Sequence, residues 1–464
     1  MGLTLELAEF AASLRPEDVP AAVRRKVVLH TLDQLGAELA GSTQPWNAVV
    51  REYALAESPD GPSTVVSAER SLRPEWAALA NATAGHGFEI DDYHAAALSH
   101  PGCVAVPAVL AVAEELGTSG TDAVLALALG FEVIVRIGLA VQPSMIYDRG
   151  FHETCAEGVF GAAAAVGKLR GLDRDTLGSA LGIAGSHASG TTEYSQTGSE
   201  VKRLHAGIGA MGGIRGVSLA MRGFEGPRTI LEGKRGFLQA FADTTRPEAI
   251  VDGLGQRWDL LDAAIKPYFC CGLIHAPIDA LRALIDEEGL TADDVEEIVV
   301  GADHLSLVHV GKLGPRPHDM TAAQFSMEFS LGMALAGGGN DFGAYLAAQQ
   351  DGFANEHVRQ VAERVRLELD QEADTAFPKS FLARVRVRRR SGGWIERKAY
   401  ATGSPDAPMS EEAVRLKFHS IAARVIGVER AAQVDAAVHA LLDGGPTRAV
   451  TEPLRFAPGE GMDS

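Results

Sequence analysis

His86-Gly-Phe-Glu-Ile-Asp-Asp-Tyr-His-Ala-Ala-Ala-Leu-Ser-His-Pro-Gly-Cys-Val-Ala-Val-Pro107 places one Glu, two Asp and three His within fifteen positions, His86 to His100, between two apolar stretches. Before it, Pro74 to Thr83 reads as a helix, with Pro74 in the first turn and Trp76, Leu79, Ala80 and Thr83 at helical spacing. After it, Cys103 to Leu116 reads as a second, mostly buried helix. Carboxylates and imidazoles are rarely set between buried elements unless they are paired or used. Asp91, Asp92, His94 and His100 are of the types that supply acid, base and electrophile in proton transfer. The bland alternative is that the two Asp cap or bridge structural groups and that His94 lies at the surface.

Outward from this loop, the first 250 residues read as helical throughout. Leu3 to Leu14 is amphipathic, and Pro20 to Ala40 carries Val23, Val27, Val28, Leu32, Leu35 and Leu39 on one broad face. Further helices are predicted at 74–88, 103–117, 121–141, 158–170, 174–186 and 203–222. Runs such as Gly161-Ala-Ala-Ala-Ala-Val-Gly167 predict close helix packing. Strand and helix do not alternate here, which argues against a dinucleotide-binding fold, and no glycine-rich phosphate loop occurs. The composition changes near 250–265. Glu296 to Val300 ends in a β-branched run, Val365 to Leu369 alternates, and Ala383 to Arg390 and Trp394 to Ala401 flank the turn Ser391-Gly392-Gly393. With helices at 276–288 and 322–336, this predicts a smaller α+β domain of antiparallel strands. Glu411 to Ile426 and Val428 to Leu442 return to helix, and the chain is expected to fray after about 452. The expected division is a large all-helical domain over 1–262, a smaller α+β lid domain over 263–403, and C-terminal helices over 404–452 that rejoin the first.

The chain is 46% hydrophobic, with 42 basic against 61 acidic residues and a net charge of -19. That excess argues against nucleic acid and anionic membrane as partners. Four Cys, at 103, 155, 270 and 271, form neither a disulfide framework nor a zinc knuckle. The apolar run Thr121 to Val141 carries Glu132 and Arg136 at i,i+4 and reads as a salt-bridged core helix rather than a membrane span. The N-terminus shows no basic-then-apolar signal, so a cytoplasmic protein is expected.

Three other stretches carry chemistry. Arg149-Gly-Phe-His152-Glu-Thr154 sets a His in a Gly-bounded loop before a helix. Gly198-Ser-Glu-Val-Lys202-Arg203-Leu-His205-Ala-Gly207 groups three potential cations at a helix start, where positive charge is disfavoured unless an anion offsets it. The amides at the helix start after His100 could likewise hold an anion. Ile265-Lys266-Pro-Tyr268-Phe-Cys270-Cys271-Gly-Leu-Ile-His275 lies at the domain boundary, where clefts form. The bland readings are a structural His, a solvated basic helix start and an ordinary linker. No Gly-x-Ser-x-Gly, His-Glu-x-x-His or iron–sulfur spacing occurs. Acid–base chemistry without a cofactor remains.

Together these stretches resemble the MmgE/PrpD family, which includes 2-methylcitrate dehydratase, cis-aconitate decarboxylase and iminodisuccinate epimerase. The matching features are Asp91-Asp92 closed by His100-Pro101, the Phe151-His152 turn, Val201 to Gly207, and Lys266-Pro267-Tyr268 through His275. Gly226-Pro-Arg-Thr-Ile-Leu-Glu-Gly233, Gln324-Phe325-Ser326 and Pro408-Met409-Ser410 add to it. The resemblance implies a homodimer with a cofactor-free and metal-free active site between the domains. It also implies Asp91, His100, His152, Lys202 and Lys266 as catalytic residues, with Glu89, Asp92, His94, Arg203, His205 and His275 around a small di- or tricarboxylate. Where dehydratase and decarboxylase relatives resemble Phe-Ser-Leu-Pro-Tyr, this chain has Phe325-Ser-Met-Glu-Phe329, losing one hydroxyl; it also has Asp-Asp-Tyr-His where several relatives have Asp-Asp-Thr. The expected reaction moves a proton α to a carboxylate, in a pocket positive within an acidic molecule, ending in dehydration, decarboxylation or epimerisation. The rival readings are a carboxylate-binding protein without catalysis and a metal-dependent hydro-lyase using the Asp/His loop.

Overall fold

The computed structural model describes residues 2–194 and 199–457. They form two compact units: one runs to Ala263 and resumes at Glu411, and the other spans Ala264–Ser410. The start of the Gly198–Gly207 motif and the last residues of the tail lie outside the described residues.

The first unit is helical. α1 (Leu3–Ser13), α2 (Ala21–Ser42), α3 (Pro45–Glu57), the short β1 (Asp60–Ser63), α4 (Pro74–Gly85), α5 (Gly102–Leu116) and α6 (Gly120–Val141) precede two single turns, α7 (Ser144–Tyr147) and α8 (Glu153–Ala156). α9 (Gly158–Leu169), α10 (Arg174–Ala184), α11 (Val201–Ala220) and α12 (Phe237–Phe241) follow. Val23, Val27, Val28, Leu32, Leu35 and Leu39 are all buried, as the single broad face of α2 demands. Small residues let the helices touch. A Cβ added at Gly207 of α11 would lie 2.6 Å from the Leu79 carbonyl of α4, and one at Gly161 of α9 would lie 2.6 Å from the Gly130 carbonyl of α6. Only glycine permits such backbone contact, and the first of these crossings carries the site loop past the start of α11.

α6 is long and apolar enough to cross a membrane, and it is buried within this unit. Arg136 donates to Glu132 at 2.5 Å and to the carbonyls of Asp252 and Arg257, each at 2.8 Å, while the Glu132 carboxylate accepts the Leu260 amide at 3.0 Å. The expected ion pair therefore fastens the 249–260 segment as well.

The second unit contains α13 (His275–Glu288), β2 (Val295–Ala302), α14 (His304–His309), α15 (Met320–Gln324), α16 (Met327–Ala336), α17 (Phe342–Gln350), α18 (Glu356–Ala362), β3 (Val365–Leu369), α19 (Gln371–Ala376), β4 (Leu382–Arg389) and β5 (Trp394–Tyr400). The sheet order is β3-β2-β4-β5. β4 and β5 form the expected hairpin, turning through Gly392 and Gly393 at φ 92° and 89°. The sheet is not wholly antiparallel, since β3 pairs parallel to β2. The helix expected over 322–336 is two, because Ser326 leaves the helical path and its Oγ caps the Phe329 amide at 3.0 Å.

Back in the first unit, α20 (Glu411–Ala440) is broken at Gly427, φ 82°, and α21 (Arg448–Thr451) follows. The chain does not fray at 452: Leu454 and Phe456 are buried, and the Leu454 carbonyl accepts the Ser67 amide.

One carboxyl in this core makes folding depend on pH. Glu38 on α2 is buried with Gln34 donating at 3.4 Å, and burial pushes its pKa up to about 8. Its ordinary value is 4.5, so between these limits the folded chain holds a proton that the unfolded chain releases. Stability from this group is therefore full below pH 4.5 and falls as pH rises. Glu38→Gln is expected to stabilise the protein by on the order of 1–3 kcal/mol at pH 7 and to have little effect near pH 4.5. Denaturant unfolding at both pH values checks this; equal effects at both contradict it.

Candidate active site

α4 stops at Gly85, short of the predicted 88, so Glu89 and Asp92 do not share a helix face. Glu89 instead adopts a left-handed backbone, φ 57°. Residues 86–100 are irregular and tied down at three points. The Asp92 carboxylate takes the His30 Nδ1–H at 2.6 Å and the Gly102 amide at 2.8 Å. His94 accepts the Ala97 amide on Nδ1 at 3.1 Å and donates from Nε2 to the Asp259 carbonyl at 3.2 Å. Lys417 of α20 donates to the Ile90 carbonyl at 2.9 Å and to Asp33 of α2 at 2.6 Å. Burial pushes Asp33 up to about 6 despite that lysine.

The Asp92 carboxylate and both His94 ring nitrogens thus bond to protein groups that brace the loop. The anion anticipated at the start of α5 is the Asp92 side chain itself.

Asp91 is fully buried between two imidazoles. His86 Nδ1 donates to its Oδ2 at 2.7 Å, and His100 Nδ1 lies 3.2 Å from the same oxygen. His100 Nδ1 also reaches the Asp92 carbonyl at 2.7 Å. A carbonyl only accepts, so the His100 proton sits on Nδ1 and Nε2 is the basic nitrogen. That nitrogen points to Glu153 Oε1 at 3.8 Å.

His152, at the head of α8, approaches the same group. Its Nε2 is 3.4 Å from Glu153 Oε1 and 3.4 Å from Thr154 Oγ1, and its Nδ1 is 2.9 Å from His205 Nδ1. The four rings form a chain: centroids are 5.1 Å apart for His86–His100, 5.6 Å for His86–His152 and 5.0 Å for His152–His205. Tyr194 stands edge-on to His152 at 5.2 Å.

Lys202, at the start of α11, forms an ion pair with Glu89. The anion that offsets this helix start is thus the loop's own carboxylate. Arg203 donates to the Gly87 carbonyl at 2.9 Å and lies 3.9 Å over the Trp46 ring, so it braces the loop. Burial drives the imidazoles toward neutrality, to about 4 for His86 and for His205 and well below the usual value for His152.

Lys266 and His275 belong to the second unit. Lys266 is buried, and its charge acts against the burial that pushes the Cys270 thiol up. His275 donates from Nε2 to the Cys270 carbonyl at 3.1 Å. Phe329 is also buried there, its ring edge-on to Phe353 at 6.1 Å.

Among the described residues, His86, Asp91 and Cys103 put their ligand-type atoms within 4.8 Å of one another, all buried. The first two already bond to each other, and Cys103 Sγ leans on the His100 carbonyl at 3.3 Å. A catalytic metal needs an open coordination position and ligands stripped of their protons. The trio fits a hydrogen-bonded acid–base network better.

The chain belongs to the MmgE/PrpD family: residues 5–250 match its N-terminal domain and residues 268–443 its C-terminal domain. Across both units it is similar to cis-aconitate decarboxylases and a protein named as like them. It is 29% identical to cis-aconitate decarboxylase of Aspergillus terreus over 454 residues, covering 94% of this chain and 92% of that protein. It is 28% identical to a cis-aconitate decarboxylase-like protein of Aspergillus oryzae over 481 residues, 99% and 98% of the two chains. It is also 28% identical to cis-aconitate decarboxylase of Homo sapiens over 409 residues, 85% and 82%.

Proposed function

We propose that this chain is a lyase of a small tricarboxylate or dicarboxylate that works by proton transfer at a carbon α to a carboxylate, without metal or organic cofactor. The observation that carries the reading is one buried cluster holding a carboxylate-oriented imidazole, His100 on Asp91, a second imidazole, His152, and the cation Lys202. A substrate carboxylate exchanges for Glu89 on Lys202, which then holds the negative charge that develops beside the reacting carbon. His100 Nε2 takes or delivers the proton on one side, and His152 serves the other. The activity of the relatives, cis-aconitate decarboxylation, supports decarboxylation as the outcome. There the bond to the departing carboxylate breaks, its electron pair stays on the α-carbon, and an imidazolium returns a proton to that carbon.

The test is a panel of di- and tricarboxylates, cis-aconitate among them, incubated with the protein in deuterated water and followed by NMR. Deuterium at an α-carbon, or carbon dioxide released with deuterium in its place, is the expected result. Tight binding with neither outcome means a binding protein. Activity abolished by exhaustive chelation means the metal-dependent hydro-lyase.

A further inference from the structure

Glu153 stands where the two basic imidazoles meet. It is the first residue of α8, and its side chain is 8% exposed. One oxygen, Oε1, faces both His100 Nε2 and His152 Nε2, at 3.8 Å and 3.4 Å. Three acceptor-type atoms do not converge in a buried place unless a proton lies among them. The hydrogen bonds of the rings say where it is. His100 carries its proton on Nδ1, toward the Asp92 carbonyl. The His152–His205 contact needs one ring to donate, since both face it with Nδ1. If His152 donates, its Nε2 is bare and the proton is on Glu153. If His205 donates, the proton is on His152 Nε2 and points at Glu153 or Thr154. Either way one proton is shared across this group.

One turn further on, Glu157 is buried with Gln142 donating at 2.9 Å. Burial raises both carboxyls, and the neighbouring Glu153 pushes Glu157 up further.

We propose that Glu153 relays a proton between His100 and His152, connecting the two sides of the reacting carbon. The inference rests on the proton-transfer reading above. His100 Nε2 takes the proton from carbon, whose electron pair remains in the enediolate. The Glu153 carboxyl gives its proton to His152 Nε2, and the carboxylate so formed takes the proton from the His100 imidazolium. The His152 imidazolium then protonates carbon or the departing atom. One proton crosses from one imidazole to the other, Glu153 returns to its starting state, and no electrons are gained or lost. The present 3.4–3.8 Å separations exceed hydrogen-bond length, as is common before substrate closes such a site.

The experiment uses the full chain and whichever carboxylate of the panel the wild type turns over. Glu153→Gln is expected to lower kcat at least about tenfold, to change KM less than about threefold, and to remove one limb of the pH–rate profile. Glu153→Asp, which keeps a carboxyl, is expected to recover part of the rate and to keep that limb. If the Gln variant does not fold, Glu153→Ala replaces it with the same expectations. An active wild type whose Gln or Ala variant keeps its kcat and pH profile overturns the relay alone. A wild type that exchanges no proton with any carboxylate overturns the proposed function and the relay with it.

Discussion

His100→Ala is expected to lower turnover of the carboxylate substrate by at least about a hundredfold, the scale of losing one acid–base group. The ring is held by atoms that leave it little choice. Its Nδ1–H is directed to the Asp92 carbonyl at 2.7 Å with Asp91 Oδ2 at 3.2 Å, so Nε2 is left to accept protons. As an imidazolium forms, the buried Asp91 carboxylate stabilises it. Asp91→Asn should therefore cost nearly as much. The isosteric amide offers one oxygen to two donors, His86 at 2.7 Å and His100; turned the other way, it sets an N–H against the His86 N–H. Because the two residues act as a unit, the double variant should lose little beyond His100→Ala, rather than the product of the two losses. Steady-state kinetics on the four proteins decides it. Wild-type rates in either single variant remove these residues from the chemistry, and multiplied losses make them independent.

Such a unit is only partly visible in the sequence. The apolar face of α2, the Glu132–Arg136 pair and the β4–β5 hairpin are local signals, and each appears in the structure as read. So does the break at Gly427, because glycine offers a left-handed backbone at little cost. What local pattern could not give is the partner of a polar side chain. Asp92 looks like Asp91 in the sequence, yet its pairing with His30 lies 62 residues away, and only the fold makes one a brace and the other the centre of the cluster. His86 opens the same loop and Glu153 directly follows His152, yet nothing local marks either as part of the cluster. Their roles arise from α4, α8 and α11 crossing closely. The only sequence signal for either was an ionisable residue beside an apolar helix start. The partner of Lys202 is hidden in the same way, since Glu89 lies 113 residues distant.

Lys202→Met is expected to lower turnover at least about a hundredfold, because a preorganised cation beside a developing negative charge contributes on the order of 3–4 kcal/mol to the barrier. Alone, that result would be ambiguous. The variant leaves Glu89 buried without its cation, and Glu89 holds a left-handed backbone within the loop. Breaking such a pair from one side typically costs about 3–5 kcal/mol of stability when fully enclosed. With 13% of the Lys202 side chain reaching solvent, a loss on the order of 2–3 kcal/mol is expected. A collapsed loop and a missing cation would both silence the protein. The double variant Lys202→Met/Glu89→Gln separates them. Gln removes the stranded charge while keeping the shape, so the thermal midpoint should return most of the way to wild type. Turnover should stay down by at least about a hundredfold, because nothing then holds the substrate carboxylate. If activity returns together with stability, Lys202 is a strut for the loop, and the charge that steadies the reaction must come from elsewhere in the chain.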